Sequence, residues 1–317
     1  MKLINPKNIA YLELLALAVI VGLFLWWIYP SPLVTTGGKN IIADTRPAIV
    51  FENIPTEAKS VYVYDILNKE ELYGKNESLQ LPLASLTKIM TAFTASTLLP
   101  SNSLISISLD DLQTEGDSGL YADEVWSIGK LIDFSLLVSS NDGASALASV
   151  AGARVAYDQT KTPRELFIIR MNTLAKEIGL EQTYFLNPSG LDESTYLSGG
   201  YGSAKDMAIL ISHIVETKPH LLEATSFYEL ALDSKFKTHI ALNTNKVVEN
   251  IPNVLASKTG FTDLSGGNLV IAFDAGLNHP VVVSIIGSSI EGRFTDMEAM
   301  VKETLNYLAK KAERAVE

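Results

Sequence analysis

The sequence predicts an α/β fold of the α+β type: an antiparallel sheet flanked by helices, with a helical subdomain, behind an N-terminal transmembrane helix. Three observations support this fold class. Segments of strand type occur at both ends of the domain, at residues 60–66 and within residues 253–287. Helical patterns fill the chain between them, and residues 14–29 form an uncharged apolar run. Strands at both ends with helices between them indicate one sheet built from both ends, which the helices cover.

The N-terminal apolar run is long enough to cross a bilayer. A helix over residues 9–29 would rise about 31 Å, which matches the thickness of a bilayer core. Two lysines precede the run and aromatic residues stand at its far end, which favours an N-terminus in the cytoplasm. No small-x-small site follows Trp27, so we expect an uncleaved anchor in the cell membrane, with a cleaved signal peptide as the alternative. The predicted organisation is an anchor over residues 1–29, a linker over 30–47 and an exported domain over 48–317.

The composition argues against several classes of partner and cofactor. The chain has 317 residues, a formal net charge of -11 and no cysteine. An acidic chain without a basic stripe repels phosphates, so we expect no nucleic-acid partner. The absence of cysteine excludes disulfides, thiol catalysis and thiolate zinc sites. The histidines have neither His-x-His nor His-x-x-x-His spacing, so we expect no metal site and no cofactor.

The domain begins with strands and continues with capped helices. Residues 60–66 are β-branched and aromatic, and residues 71–73 can return as their hairpin partner. Residues 162–165 form a capping box with proline at the first helical position, followed by apolar residues at helical spacing. A second capping box at residues 203–206 precedes another amphipathic pattern. We therefore expect two surface helices in the middle of the domain.

The last part of the domain returns to strands and ends in a helix. Three segments have strand composition, and a short turn at residues 275–279 joins the last two of them. The capping pattern at residues 295–298 predicts that a last helix begins there. The strand segments are residues 253–260, 268–274 and 280–287.

The pair Ser85-x-x-Lys88 is the first candidate for chemistry. At the start of a helix, residues three positions apart share a face, so the Lys88 side chain is directed back toward the Ser85 hydroxyl. Lysine can activate a serine only when it is neutral, and burial beside a second cation would lower its pKa enough. The same spacing occurs by chance, with serine capping a helix and lysine in solvent. Ser127-x-x-Lys130 is such a pattern in this chain.

Two further motifs follow the Ser85 pair in order. Ser139-Ser140-Asn141 comes after an apolar segment, and Lys258-Thr259-Gly260 lies in a predicted strand. Together with Ser85-x-x-Lys88 they match the signature set of serine acyl-transferring penicillin-binding proteins and β-lactamases. If Ser127 were the nucleophile, too little chain would separate it from Ser139 to form a helical subdomain. The order of the three motifs therefore favours Ser85.

The resemblance extends beyond the three motifs. The segments LASLTKIMTA, LLVSSNDGASALA, TYFLNPSGLD, SAKDMAIL and ASKTGFTDLSGGNLV stand in this order along the chain. They are similar to consecutive segments of the D-alanyl-D-alanine carboxypeptidase family of low-molecular-mass serine penicillin-binding proteins. The resemblance covers about residues 59–308 and implies a β-lactamase/transpeptidase-like fold.

The resemblance implies a role for each matching residue. Ser85 would attack the carbonyl of the penultimate D-alanine and form an acyl-enzyme, with Lys88 as the general base. Ser139 would relay a proton toward the leaving amine or the attacking water. Asn141 would hydrogen-bond the substrate backbone and Lys88. The backbone N–H groups of Ser85 and Phe261 would form the oxyanion hole.

The strand motif would bind the other end of the substrate. Lys258 would supply the second cation and attract the terminal carboxylate, which Thr259 would hydrogen-bond, and Gly260 completes the motif. Arg293 is a further candidate for the carboxylate, and the alternative is a solvated arginine beside the last helix. Ser140 departs from the family pattern, in which glycine is frequent, and its side chain could narrow the cleft.

Four functions are compatible with these residues. The first is a carboxypeptidase that trims the terminal D-alanine from peptidoglycan stem peptides, with β-lactams as covalent inhibitors. The second is a D,D-endopeptidase that cuts cross-links with the same residues. A β-lactamase is third, because no Glu-x-x-Leu-Asn segment for deacylation occurs between Asn141 and Lys258. A catalytically silent penicillin-binding module is the fourth.

Overall fold

The computed structural model describes residues 50–155 and 160–316. The membrane anchor predicted over residues 1–29 and the linker predicted over 30–47 lie outside the described residues. Within the described part, no helix has the length and apolar character needed to cross a membrane.

The strands and helices follow one another along the described chain. The strands are β1 (Ser60–Asp65), β2 (Glu70–Lys75), β3 (Leu81–Pro82), β4 (Leu104–Ser106), β5 (Val125–Ser127), β6 (Tyr184–Phe185), β7 (Gly200–Gly202), β8 (Glu229–Asp233), β9 (Thr238–Leu242), β10 (Val254–Thr262), β11 (Gly266–Asp274) and β12 (Pro280–Ser288). The α-helices are α1 (Thr87–Leu98), α2 (Ile128–Leu137), α3 (Asn141–Gly152), α4 (Pro163–Ile178), α5 (Ala204–Thr217) and α6 (Gly292–Val316).

The central sheet is antiparallel and is built from both ends of the domain, as predicted. Its five strands have the order β10-β11-β12-β1-β2. The first strand of the domain pairs with the last, with Ser60 opposite Ile286 and Asp65 opposite Val281. This closure leaves β10 and β2 as the two edges of the sheet.

The sheet is buried on both faces, which explains the nearly continuous apolar strands. On one face, Val61, Ile271 and Val283 pack with α6 residues such as Met297. On the other face, alternate side chains such as Tyr62 join the apolar residues of α1 and α5. Because the side-chain period of a strand is two, each strand serves both layers. Helices α2, α3 and α4 extend the second layer as a helical subdomain.

Two of the predicted helix starts are confirmed and one is wrong. Thr162 caps α4 in a complete capping box, and the Ser203 side chain caps α5. Helix α6 begins at Gly292, three residues before the predicted capping pattern. Asp296 instead accepts hydrogen bonds from the backbone N–H groups of Glu57 (3.2 Å) and Ala58 (3.1 Å). Its carboxylate thus ties the start of the domain to α6, which is a long-range role that local pattern does not reveal.

Candidate active site

The Ser85 segment is a tight turn wedged between the sheet and a loop. Ala84–Leu86 form a single 3-10 turn that leads directly into α1. Ala84 has a positive φ of 48°, an uncommon conformation for alanine. Across the turn, Gly190 packs so closely that an added Cβ would lie 1.9 Å from the Ala84 carbonyl oxygen. This packing holds the turn in place, with Ser85 half-buried.

Lys88 contacts the Ser85 hydroxyl, as the spacing predicted. Its Nζ lies 2.8 Å from Ser85 Oγ, 2.7 Å from Asn141 Oδ1 and 2.7 Å from the carbonyl oxygen of Ser189. The amide and carbonyl oxygens can only accept hydrogen bonds, so they take the two N–H bonds of a neutral amine. The amine lone pair then faces the Ser85 hydroxyl, which has a proton to donate. The three contacts therefore suit a neutral lysine that acts as a base.

Burial favours the neutral form of Lys88. The side chain is 1% exposed, and this burial lowers its pKa from 10.5 to about 7. No charged partner among the described residues offsets the lost hydration, because the three polar contacts of Lys88 are all uncharged. About half of the Lys88 side chains are then neutral near pH 7.

Lys258 is a second buried lysine at the same site. Burial lowers its pKa well below the usual value, and the charges of Lys88 and Arg293 lower it further. The sequence interpretation ascribed part of the Lys88 shift to this second cation. In the structure, burial is the cause of the lowered pKa of Lys88. Repulsion by the charge of Lys88 contributes to the lowered pKa of Lys258. Because the two lysines repel each other when both are protonated, loss of the proton from one lysine raises the pKa of the other.

The second motif lies between α2 and α3 and meets both lysines. Ser139 has a positive φ of 62°, and its Oγ accepts a hydrogen bond from Lys258 Nζ at 2.8 Å. Asn141 opens α3, and its Nδ2 donates to the carbonyl of Glu115 at 2.6 Å. That bond orients the amide so that Oδ1 faces Lys88. The motif thus joins the two lysines through one hydroxyl and one amide.

Ser140 is buried and does not narrow the cleft, contrary to the expectation from its departure from the family pattern. Its Oγ caps α3 by accepting from Gly143 N at 2.9 Å, and it lies 2.6 Å from Ser118 Oγ. A Cβ on Gly143 would lie 2.1 Å from Ser135 Oγ, so alanine at this position would require the Ser135 hydroxyl to move. The Ser140 side chain therefore packs behind the motif and leaves the reacting groups unchanged.

The third motif lies on the edge strand β10, beside the Ser85 turn. A Cβ on Gly260 would lie 2.9 Å from the Leu83 carbonyl and 3.3 Å from Ser85 N, so only glycine permits this approach. Thr259 Oγ1 lies 2.7 Å from Thr244 Oγ1. The Phe261 side chain is 42% exposed. The strand therefore presents its edge to the cleft next to the Ser85 backbone.

Arg293 is buried beside β10, so the alternative of a solvated arginine is wrong. The residue is 9% exposed, and its Nη1 donates to the carbonyl oxygen of Gly260 at 2.8 Å. Its charge contributes to the lowered pKa of Lys258. Arg293 thus supplies positive potential at the strand motif while one of its N–H groups supports the strand backbone.

The second Ser-x-x-Lys pair, Ser127 and Lys130, has no catalytic geometry, and its serine is a helix cap. Ser127 accepts from Lys130 N at the start of α2, and the Lys130 side chain is directed to solvent. This pair therefore has the ordinary structural role of such spacing, in which the serine caps a helix and the lysine lies in solvent.

Sequence patterns did not identify three groups at the site. The carbonyl of Ser189 binds Lys88, the carbonyl of Glu115 orients Asn141, and the hydroxyl of Thr244 meets Thr259. The turn signal Asn187-Pro188-Ser189-Gly190 lies within the family-like segment TYFLNPSGLD, and it could have indicated the first of these. Every residue has a backbone carbonyl, so the sequence does not show which other carbonyls contact the site.

The fold and the three motifs are those of a serine penicillin-binding protein. Penicillin-binding protein D2 from Listeria monocytogenes, solved in its ampicillin-bound form, is 27% identical, with a TM-score of 0.65 over 80% of this chain and 98% of that chain. The D-alanyl-D-alanine carboxypeptidase family model matches residues 48–289, and the chain belongs to this family.

Curated relatives carry two kinds of name. The D-alanyl-D-alanine carboxypeptidase DacF of Bacillus subtilis is 29% identical over 77% of this chain, and the match spans 58% of that relative's length. A D-alanyl-D-alanine endopeptidase of Haemophilus influenzae is 31% identical over 67% of this chain and 69% of its own length. The chain is therefore similar to proteins named for two reactions.

Proposed function

We propose that the chain is a serine-type D-Ala-D-Ala carboxypeptidase that removes the terminal D-alanine of peptidoglycan stem peptides through a Ser85 acyl-enzyme. The observation that carries the proposal is the contact between Lys88 and the Ser85 hydroxyl, in which a buried lysine has hydrogen-bond partners that suit its neutral form. Family membership supports the choice of substrate.

In acylation, Lys88 Nζ takes the Ser85 proton as the Ser85 oxygen attacks the carbonyl carbon of the penultimate D-alanine. The backbone N–H groups of Ser85 and Phe261 stabilise the oxyanion. The C–N bond then breaks, and the D-alanine amine receives the proton that Lys88 took, with Ser139, whose Oγ accepts a hydrogen bond from Lys258 Nζ at 2.8 Å, as the proposed relay. The products of this step are free D-alanine and an ester on Ser85.

In deacylation, a water molecule attacks the ester carbonyl. Lys88, again neutral, accepts the water proton and returns a proton to the Ser85 oxygen when the ester bond breaks. Each group thereby recovers its starting protonation state. The same buried lysine serves as base in both steps because nothing charged is added to its surroundings.

The strand motif binds the terminal carboxylate. Arg293 places positive potential beside β10, where the Lys258 amine also lies, and the Thr259 hydroxyl donates a hydrogen bond to a carboxylate oxygen. Asn141 binds the substrate backbone through its amide. β-Lactams, which carry a carboxylate beside a reactive carbonyl, occupy the same groups and acylate Ser85.

The proposal also includes the location of the enzyme. The apolar run within residues 9–29 supports a single-pass anchor, and the linker over residues 30–47 would hold the catalytic domain outside the cytoplasmic membrane. Fractionation of cells that produce the full chain tests this: recovery with membranes supports an anchor, whereas a soluble protein that begins near residues 30–40 contradicts it.

Release of D-alanine from a soluble pentapeptide tests the activity. We expect stoichiometric D-alanine from the wild-type enzyme and none from Ser85→Ala. The name of the 31%-identical relative favours a D,D-endopeptidase as the second candidate. Monomers released from cross-linked dimers, without D-alanine from the pentapeptide, would select that reaction. Rapid turnover of penicillin would select a β-lactamase, and a protein that forms no acyl adduct would be a silent module.

A further inference from the structure

Helix α1 carries a buried threonine one turn beyond Lys88. Residues three positions apart on a helix share a face, so Thr91 and Lys88 meet the same neighbours. Both residues are 1% exposed. The Thr91 hydroxyl donates to the carbonyl oxygen of Pro188 at 2.6 Å, and Lys88 Nζ donates to the carbonyl oxygen of the next residue, Ser189, at 2.7 Å. Helix α1 therefore holds two consecutive carbonyl groups of one loop.

The Pro188 carbonyl is the nearest acceptor for the Thr91 hydroxyl. A hydroxyl has one proton to donate, and the other acceptors lie farther away, at 3.5 Å for the Thr87 carbonyl and 3.9 Å for Met171 Sδ. Pro188 is buried, and within residues 50–155 and 160–316 no other donor reaches its carbonyl. Without the Thr91 hydroxyl, this buried acceptor is unpaired unless the loop shifts.

The loop is braced from within, so a shift at one residue is passed to the next. Asn187 Oδ1 accepts from the backbone N–H groups of Ser189 at 3.2 Å and Gly190 at 2.7 Å. Asn187 Nδ2 donates to the Leu191 carbonyl at 2.9 Å. The ring of Pro188 also fixes its own φ. The position of the Ser189 carbonyl therefore depends on where the Pro188 carbonyl is held.

The Ser189 carbonyl decides where the Lys88 lone pair is directed. Together with Asn141 Oδ1, it takes the two N–H bonds of the neutral amine and leaves the lone pair for the Ser85 hydroxyl. With one acceptor fewer, the amine can rotate about its C–N bond. The carbonyl also favours the ammonium form by accepting a hydrogen bond from it, so its loss would lower the pKa of Lys88 further.

We propose that Thr91 is a positioning residue for the reaction: its hydroxyl, through the Pro188 carbonyl, holds the Ser189 carbonyl where that group orients Lys88. Thr91 is buried behind Lys88, and its hydroxyl makes no contact with Ser85 within residues 50–155 and 160–316. The inference rests on the proposed function, because it assigns Thr91 a role only through Lys88 as the base.

The variant Thr91→Val tests the proposal, since valine keeps the shape and removes the hydroxyl. In D-alanine release from a pentapeptide, kcat should fall by about 10- to 100-fold, because a small displacement of a reacting group is costly. KM should change by less than about twofold, because Thr91 does not bind substrate. In acylation by a fluorescent penicillin between pH 5 and pH 10, the midpoint should move below the wild-type value near 7. Lys258 and Arg293, the other cations of the site, are unchanged.

Three further variants isolate the hydroxyl. Thr91→Ser keeps it and should restore kcat and the pH midpoint. Thr91→Ala differs from Thr91→Ser only by the hydroxyl and should behave as Thr91→Val. Thr94→Val is the matched control one turn further along α1: Thr94 is fully buried, and its hydroxyl has no hydrogen-bond partner within the described residues. It should keep the wild-type kcat and midpoint. All rates are measured well below the melting temperature of each variant.

The outcomes separate a positioning role from a structural one. A lower melting temperature for Thr91→Val with wild-type kcat and midpoint would overturn the proposal, and so would an equal loss of kcat in Thr94→Val. Failure of Thr91→Ser to exceed Thr91→Ala would also overturn it. None of these results touches the carboxypeptidase activity itself. Absence of both D-alanine release and an acyl adduct in the wild-type enzyme would overturn the proposed function and the role of Thr91 with it.

Discussion

Replacement of Asn141 by aspartate tests how the protonation of Lys88 is set. Burial lowers the pKa of Lys88 from 10.5 to about 7. This difference corresponds to roughly 5 kcal/mol against the charged form, at about 1.36 kcal/mol per pH unit. Without it, only about one Lys88 side chain in 3,000 would be neutral at pH 7. The neutral form of Lys88 therefore depends on surroundings that carry no negative charge.

Asn141→Asp adds that charge with almost no change in shape. Asn141 Oδ1 lies 2.7 Å from Lys88 Nζ, and a carboxylate oxygen in its place would favour the ammonium form. An opposite charge at this range shifts a pKa by about 1–3 pH units, so the Lys88 pKa should rise to roughly 8–10. Because the neutral form is reactive and about half of Lys88 is neutral at pH 7 in the wild-type enzyme, acylation at pH 7 should fall by about 5- to 500-fold and recover as the pH rises.

The assay is the second-order rate of acylation by a fluorescent penicillin between pH 5 and pH 10. For the wild-type enzyme the rate should rise to a plateau with a midpoint near pH 7, where Lys88 loses its proton. Asn141→Ser is the control, since it removes the contact without adding charge and should lower the plateau with the midpoint near 7. A midpoint near 7 in Asn141→Asp would refute Lys88 as the base.

Three further predictions concern the strand motif and the frame of the domain. Gly260→Ala should slow acylation at least tenfold with little loss of folding, because the new Cβ would lie 2.9 Å from the Leu83 carbonyl oxygen; an unchanged rate would contradict the close approach. Thr244→Val should raise KM about fivefold, equivalent to about 1 kcal/mol, because the hydroxyl that orients Thr259 is lost; Thr244→Ser should restore KM, and an equal loss with a C-terminally amidated substrate would exclude this role. Asp296→Ala should lower the free energy of unfolding by about 2–3 kcal/mol in urea titrations, because one buried N–H group, one partly buried N–H group and a serine hydroxyl lose their acceptor; a change under 0.5 kcal/mol would contradict it.

The central sheet was predictable because its strands are apolar on both faces. Residues 268–274 and 280–287 were placed within one or two residues of the observed β11 and β12, since β-branched runs between turn residues leave few alternatives. The start of α6 was not predictable in the same way. The acceptor at Asp296 resembles a helix cap, but its partners lie at the other end of the domain.

Within the site, contacts between side chains were predictable from the sequence, whereas contacts of the backbone were not. The pairing of Ser85 with Lys88 follows from helical spacing, and the motifs of Ser139 and Lys258 follow from their order. Sequence patterns cannot show that the Ser189 carbonyl completes the hydrogen bonds of Lys88, because every residue has a carbonyl.

The identity of the nucleophile is the central claim, and mass spectrometry of the penicillin adduct tests it most directly. The wild-type protein and Ser127→Ala should each gain the mass of one penicillin, located by peptide mapping on Ser85. The Ser85→Ala variant should gain none. An adduct on Ser127, or one that forms in Ser85→Ala and is lost in Ser127→Ala, would contradict the whole account.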